Sequence, residues 1–487
     1  MNDKAILGVR WSLLTFGANR AVTLVTTLVL ARLLIPADFG VFALALLFVT
    51  TFRLLGELGL AQAMVLRQDL DDRTRGTILT LMLSISAALA VVVFVIAPFA
   101  SDLFGEPRLT GPLRALSVTV ALFGLAWFYD VALQRELEFR ARFVAQIIQA
   151  TVYAAVALTA AAADAGVWAL VAGQLAGMLA WAAALLVGAR TLVRPAFDRD
   201  IAREVLSVGR GFMAQGGLDF TKENVDYAVV GQVLGSGALG VYSLAYRLSE
   251  LPYFAVADPV AKVTFPAFTR MRERGEDVSD AFLTTLQLVA LVGTPAAILL
   301  SGAAEPFTRA LLGSKWLDIT GPLTVLALWG AVRPIHATTG WLLNSAGRPD
   351  LLARVSATTL AAMLPGIVLA ASLSGVEAVA WVVLADIVVA SVILACLAAR
   401  HADVSLRRQG RALRPVVIAA VVAWPATHLT AQAAAQLPPV AGLAASITAG
   451  ALAYACTLQL AEPGLAARVV GQARRLASQR PAAGTTS

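Results

Sequence analysis

Charged side chains are scarce in this sequence: Asp, Glu, Lys and Arg fill 14% of its 487 positions, where soluble domains average about 25%. Histidine and cysteine are scarcer still. His336, His401 and His428 are widely scattered and form no group with metal-ligand spacing. Cys396 and Cys456 lie far apart within apolar stretches, so they read as small buried hydrophobes and point to neither a disulfide framework nor a metal site. A Walker A sequence, an HExxH pair and a nucleophile elbow are absent, which leaves an ATP-driven pump or a membrane hydrolase without support. GSGALG, residues 235–240, fits G-x-G-x-x-G, but it joins two apolar stretches and follows no strand, so a dinucleotide site is rejected. No basic stripe is interleaved with aromatics, so nucleic acid is not an expected partner. No cofactor is expected.

What fills the chain instead is apolar sequence, 59% of all residues. A membrane span needs about 20 mostly apolar residues. Fourteen such stretches occur, at 11–35, 39–63, 76–100, 111–133, 141–163, 166–188, 208–234, 239–264, 281–303, 319–343, 351–374, 376–399, 415–435 and 438–459. The fold class they imply is an all-α integral membrane protein with about fourteen transmembrane helices. The first stretch is too long for a signal peptide and lacks a small-residue cleavage pattern, so no cleavable leader is expected. With the N-terminus in the cytoplasm, 28 of the 38 Lys and Arg residues fall in inside segments and five outside. That asymmetry places both termini in the cytoplasm and accounts for most of the net charge of +7.

The longest polar connection in the first half is 188–210. It divides the chain into an N-terminal lobe over 1–188, a linker over 189–207 with a short amphipathic helix at 198–207, a C-terminal lobe over 208–400, extra helices over 401–460 and a tail over 461–487. Sliding the sequence by 200 residues supports the division: Arg10 meets Arg210, Gly17 Gly217, Val25 Val225, Leu34 Leu234, Gly40 Gly240, Val41 Val241, Leu44 Leu244 and Ala45 Ala245. The matches cluster where LLIPADFG turns between spans one and two. Repeats of this parallel kind carry substrate sites between their copies.

The informative residues are the charges inside the spans, because ionisable groups there are costly and face a bundle interior or a wet path. Asp219, Lys222, Glu223 and Asp226 recur at i, i+3, i+4 and i+7, which puts all four on one helical face. Arg247 and Glu250 follow in span eight, whose Pro252 and Pro259 are expected to kink it. Arg20 sits nine residues inside span one, either paired with an interior carboxylate for packing or facing a cavity as an anion-binding side chain. Arg53 and Glu57 are spaced to neutralise each other, and Glu57 is interfacial or functional. Arg333 and His336 flank Pro334 in span ten. Asp386, also deep, is read first as a structural partner of Arg333 or Lys222. The turns LRQDLDDRTRG and QRELEFRARF mix both signs and read as solvated surface. Spans thirteen and fourteen carry no charge and are expected at the periphery.

LARLLIPADFGVFALA, DYAVVGQVLGSGALGVYSLAYRL and LLGSKWLDITGPLTVLA together resemble the Wzx-like polysaccharide flippases of the multidrug/oligosaccharidyl-lipid/polysaccharide exporter superfamily, over the chain to about residue 400. The resemblance implies two six-helix lobes in a V shape plus a C-terminal helical hairpin. It also implies movement of undecaprenyl-diphosphate-linked oligosaccharides from the inner to the outer leaflet of the bacterial cytoplasmic membrane, by alternating access and coupled to an ion gradient. The family's NxDxxxxG segment corresponds to Asn224, Asp226 and Gly231. Partners implied are the lipid-linked oligosaccharide, the lipid bilayer, and polysaccharide polymerase and assembly proteins. For such a substrate Arg20, Arg53, Lys222, Arg247 and Arg333 are the candidate cations for the diphosphate. Glu57, Asp219, Glu223, Asp226, Glu250, His336 and Asp386 would balance charge or exchange a proton. A cation/drug antiporter of the same superfamily is the alternative. A membrane-embedded glycosyltransferase would need a larger outside loop than any present, so the chain is not expected to be an enzyme.

Overall fold

The computed structural model describes residues 19–57, 60, 64, 71–189, 192–465, 467–469 and 471, and the side chains of all of these but 208–216, 219, 254–256, 258, 259, 262 and 263. The termini that carry Lys4, Arg10 and the end of the tail lie outside that set, as does the side chain of Asp219. Helices dominate, and no strand occurs among the described residues. In chain order they are α1 (19–33), α2 (Pro36–Glu57), α3 (Asp72–Leu103), α4 (Thr110–Arg135), α5 (Phe139–Ala162), α6 (Val167–Gly188), α7 (Arg199–Ser249), α8 (Leu251–Glu273), α9 (Ser279–Gly302), α10 (Thr320–Ser345), α11 (Pro349–His401), α12 (Leu406–Ala433) and α13 (Pro439–Ala461). Ten helical segments among the described residues are long and apolar enough to cross a membrane. Two of these are interrupted by a single non-helical glycine, Gly235 at φ 82° in α7 and Gly375 at φ 80° in α11, a region of backbone space open to glycine at little cost. At Gly375 α11 doubles back, since a Cβ on Gly366 would lie 3.2 Å from Val382. Counted by limbs, the helices are consistent with the fourteen expected stretches.

Side-chain placement follows the solvent these helices require. On α3, Val91, Val95 and Phe99 form an exposed stripe at four-residue spacing, whereas Ala90, Val93, Ala97 and Ala100 are buried. Large apolar groups outside and small ones inside suit lipid on one face and close helix contacts on the other. Hydrogen-bonding caps fix the ends. Asp71 accepts from the Thr74 amide at 2.9 Å to start α3, and Asp198 accepts from the Asp200 and Ile201 amides at 2.9 and 3.2 Å, satisfying orphan donors of the first turn of α7.

The chain divides into two compact units, residues 1–240 and 241–487. In the first, α4 is central: it packs on α2, α3 and α6, and α5 covers α6. In the second, α10 takes the corresponding place against α8 and α9, with α11 beside it, while α12 and α13 pair and rest on α9. Several expectations change. The helix expected at 198–207 is not separate, because α7 runs unbroken from Arg199 to its interruption at Gly235. Pro252 does not kink a helix interior; it lies in the first turn of α8, where its missing N–H would have had no helical partner. Cys396 is half-buried and Cys456 exposed, so neither thiol is the buried hydrophobe expected.

The repeat has a physical counterpart within the first unit. A Cβ placed on Gly40 would fall 1.6 Å from the Ser236 carbonyl oxygen and 3.0 Å from the Gly240 nitrogen. A Cβ on Gly240 would fall 1.8 Å from the Pro36 carbonyl oxygen and 3.0 Å from the Gly40 nitrogen. Both contacts therefore join positions 36 and 40 to positions 236 and 240, the same 200-residue offset that aligns the repeats. The two turns cross backbone to backbone in a reciprocal contact, the local signature of a twofold relation. Glycine is required at both places because any side chain would enter the opposing main chain.

Candidate functional site

In the second unit the site grows from a close approach of backbones. A Cβ on Gly330 would lie 2.2 Å from the Ser249 carbonyl oxygen, so only glycine lets α10 settle against the junction of α7 and α8. That contact brings Glu250 beside Arg333, near the middle of α10, and the Arg333 Nη1 donates to Glu250 Oε1 at 2.8 Å and faces the Tyr246 hydroxyl at 3.4 Å. The guanidinium lies 4.7 Å from the Tyr253 ring centre and 4.8 Å from that of Trp329, and Tyr246 stacks at a tilt on Trp329 with centroids 4.7 Å apart. The pair is 15% and 19% exposed. Aromatic faces stabilise the cation while one carboxylate neutralises it. Among the described residues, Glu250, adjacent to the bend between helices, is thus a carboxylate partner of Arg333.

One turn beyond Arg333, His336 Nδ1 lies 3.2 Å from Ser391 Oγ. Ser391 Oγ also lies 2.6 Å from the Ile387 carbonyl, a geometry in which the hydroxyl bridges the imidazole and the main chain of α11. Asp386 is half-buried on the same limb of α11 as Ser391. Arg247 is half-buried and makes no ion pair among the described residues.

In the first unit, Arg53 places its guanidinium 4.0 Å from the Phe123 ring centre, with Glu57 one turn along α2. Arg20 is half-buried on α1. The four-charge face of α7 divides: Asp226 is 2% exposed, Lys222 half-buried and Glu223 exposed. Asp226 Oδ1 accepts from the Tyr227 amide at 2.9 Å, and Asn224 donates to the Phe220 carbonyl at 2.9 Å. A shared helical face therefore does not give shared burial.

Two charge clusters in this unit were not singled out from the sequence. Asp130, 2% exposed in α4, receives a two-pronged grip from Arg142 of α5, Nε at 3.0 Å and Nη2 at 2.6 Å. The QRELEFRARF segment is thus not wholly a solvated surface. The signal was an aspartate within an expected span, the same cue that marks Asp226. The second cluster gathers at the turn between α3 and α4. Arg108 Nε donates to Glu106 at 3.0 Å, its Nη1 approaches Asp38 at 3.8 Å, and the Ser236 hydroxyl donates to Glu106. Burial pushes the Glu106 carboxyl up, but the hydrogen bonds from Arg108 and Ser236 and the Arg108 charge outweigh it and hold the carboxyl below its usual range. The described residues contain no group of three or more His, Cys, Asp and Glu side chains able to hold a metal.

Comparison with known proteins places this geometry. The chain is 28% identical over 489 residues to the succinoglycan biosynthesis transport protein ExoT of Rhizobium meliloti (strain 1021), covering 97% of each. It is 25% identical over 381 residues to the lipopolysaccharide biosynthesis protein WzxC of Escherichia coli (strain K12), covering 77% of each. Among solved structures, the lipid II flippase MurJ in an inward closed conformation superposes with a TM-score of 0.78 at 14% identity, over 94% of this chain and 100% of that one; this likeness is one of fold. The family described as polysaccharide biosynthesis protein matches residues 29–321. An all-helical membrane protein with these relatives and a family match over more than half its length belongs to the polysaccharide biosynthesis protein family.

Proposed function

We propose that the protein is a flippase that moves a lipid-linked oligosaccharide from the inner to the outer leaflet of the bacterial cytoplasmic membrane for polysaccharide export. The reading is supported by the transport and lipopolysaccharide biosynthesis relatives and by one observation above the others, Arg333 held by Glu250 among three aromatic rings in the middle of an apolar helix. A guanidinium caged in that way is poised to exchange its carboxylate for a lipid phosphate, because it offers the same planar fork to both. Arg20, Arg53, Lys222 and Arg247 are the further cations for the diphosphate. Glu57, Asp219, Glu223, Asp226, Glu250, His336 and Asp386 keep the charge balanced and include the groups through which an ion gradient would act. The substrate is moved by alternating access of the N-terminal and C-terminal lobes, without covalent chemistry, and both termini face the cytoplasm. Polysaccharide polymerase and assembly proteins are the partners that follow from the role.

The test is restoration of polysaccharide export in cells lacking the native protein. Removing the charge of Arg20, Lys222 and Arg333 in turn, at normal protein levels, is expected to reduce export. Full export by all three variants would overturn the assignment of the cations.

A further inference from the structure

The outer face of α12 changes chemistry near its start. Gln409, 5% exposed, donates to the Val404 carbonyl at 2.8 Å and to the Ala395 carbonyl at 3.2 Å, and Gln287 of α9 donates to the Ala412 carbonyl at 3.3 Å. With Ala412, Val416, Ala419 and Ala423 buried along the inner side, these bonds fix how the helix is turned about its axis. The opposite side is exposed: Arg407, Arg411 and Arg414 come first, then Ile418, Val421 and Leu429. Their spacing of i, i+4, i+7, i+11, i+14 and i+22 makes them one stripe of an α-helix.

Depth follows from length. Over residues 415–433 α12 carries no Asp, Glu, Lys or Arg, and at 1.5 Å per residue this stretch is about 28 Å long, close to the roughly 30 Å of a bilayer's hydrocarbon. Residues 406–414 add about 13 Å more, enough to cross the headgroup layer on that side. The three arginines are therefore stacked at headgroup depth on the lipid-facing side, with the exposed Leu406 beside them. None of the three makes an ion pair among the described residues, whereas the adjacent Arg408 is held by Asp280 at 2.5 Å. From Val404 to Ser487 the single acidic residue is Glu462, which Arg468 holds at 2.7 Å. The sequence from α12 onward thus has no spare carboxylate for the stripe. Arg407, in the first turn, also opposes the helix macrodipole, a placement that an anion outside the chain relieves.

We infer that Arg407, Arg411 and Arg414 form a docking surface for the phosphate headgroups of anionic phospholipid in the leaflet where α12 begins. The occupant is a lipid rather than a soluble anion because the stripe runs on into the exposed Ile418, Val421 and Leu429, which an acyl chain covers while its headgroup meets the guanidinium groups. Arginine grips phosphate oxygens with its planar fork, and basic clusters at the end of a membrane helix attract anionic lipid. None of the three belongs to the cations assigned to the transported lipid.

The experiment uses the full chain, purified in neutral detergent and stripped of lipid, with bound lipid counted by native mass spectrometry. Phosphatidylglycerol and phosphatidylcholine with the same acyl chains are titrated separately, and the wild type should bind phosphatidylglycerol more tightly. Arg407→Gln, Arg411→Gln and Arg414→Gln should each lower that preference about fivefold, the scale of one cation near an anionic surface, and the three together about tenfold or more. Replacing all three by lysine keeps the charge, loses the fork and should fall between. Arg274→Gln/Arg309→Gln/Arg354→Gln removes as much charge from ion pairs elsewhere and should leave the preference in place. If the triple substitution on α12 fails to fold, the single variants carry the comparison. Equal binding of the two lipids by the wild type, an unchanged preference in the α12 variants, or an equal loss in the control overturns the surface. Displacement of phosphatidylglycerol by inorganic phosphate at equal concentration assigns the arginines to a soluble anion and overturns the lipid. Because the readout is lipid binding, its failure is separable from loss of export.

Discussion

The sharpest prediction concerns the crossing of the two turns at Gly40 and Gly240. Replacing Gly40 with alanine puts a methyl group 1.6 Å from the Ser236 carbonyl oxygen, where ordinary contact begins at 3.4 Å. The crossing must therefore open by about 1.8 Å at that point. Both sides are main chain, so no rotamer change relieves the clash. Overpacking a well-filled site costs about 1–3 kcal/mol, and the lack of any yielding side chain puts Gly40→Ala at or above the upper end. Gly240→Ala, whose methyl would lie 1.8 Å from the Pro36 carbonyl oxygen, should cost a similar amount. Gly237→Ala supplies the control, because a Cβ there meets nothing within 4 Å; in a helical position it should be neutral or gain up to about 1 kcal/mol. Thermal unfolding in detergent, monitored by monodispersity on gel filtration, measures all three. The double variant Gly40→Ala/Gly240→Ala should lose less than the sum of the single losses, since one opening admits both methyl groups. Single variants that melt with the wild type, or strictly additive losses, would refute the crossing.

Other outcomes follow from the charge clusters. Asp130→Asn should destabilise the protein by about 3 kcal/mol because it strands the Arg142 guanidinium, and Asp130→Leu/Arg142→Met should recover much of that in the same melting assay. A double-mutant cycle on Arg333→Gln and Glu250→Gln should give a coupling of about 1–2 kcal/mol, and Arg333→Lys should restore charge without restoring export, because the planar fork and ring contacts are lost. For Glu106 the carboxyl is held below its ordinary value in the folded protein. Its contribution is therefore complete above the unfolded value of about pH 4.3 and is lost as pH falls through the folded value. The difference in melting temperature between wild type and Glu106→Gln should be constant between about pH 5 and 8 and shrink in more acid buffer; a difference that instead shrinks on raising the pH would contradict the direction.

The membrane helices were legible because a long apolar run needs no tertiary information: each satisfies its own backbone within itself. The repeat was legible at its turn for a related reason. Only glycine survives where main chains cross, so Gly40 and Gly240 retain identity while the surrounding apolar residues interchange. Arg333 and Glu250 were found as costly charges, although their pairing depends on Gly330, a residue with no conspicuous sequence signal. What escaped was set by neighbours distant in sequence. Periodicity placed Lys222, Glu223 and Asp226 on one face but had no information about which edge of that face another helix covers. The Ser236–Glu106 bond joins residues 130 positions apart. Arg142 looked solvated because its partner, Asp130, sits across a helical turn inside an apolar stretch. The start of α7 was misplaced because amphipathic and membrane-spanning segments share one helical period and leave no boundary between them.

The reciprocal crossing constrains how such a chain can change. A contact in which each copy of a segment meets its own counterpart is the geometry of a homodimer seam, here carried within one polypeptide. Tethering makes the encounter intramolecular and replaces a concentration-dependent association by a fixed effective concentration. Drift at either turn is then judged against the opposite one, and a half bearing only one turn would have to find that match in a second molecule.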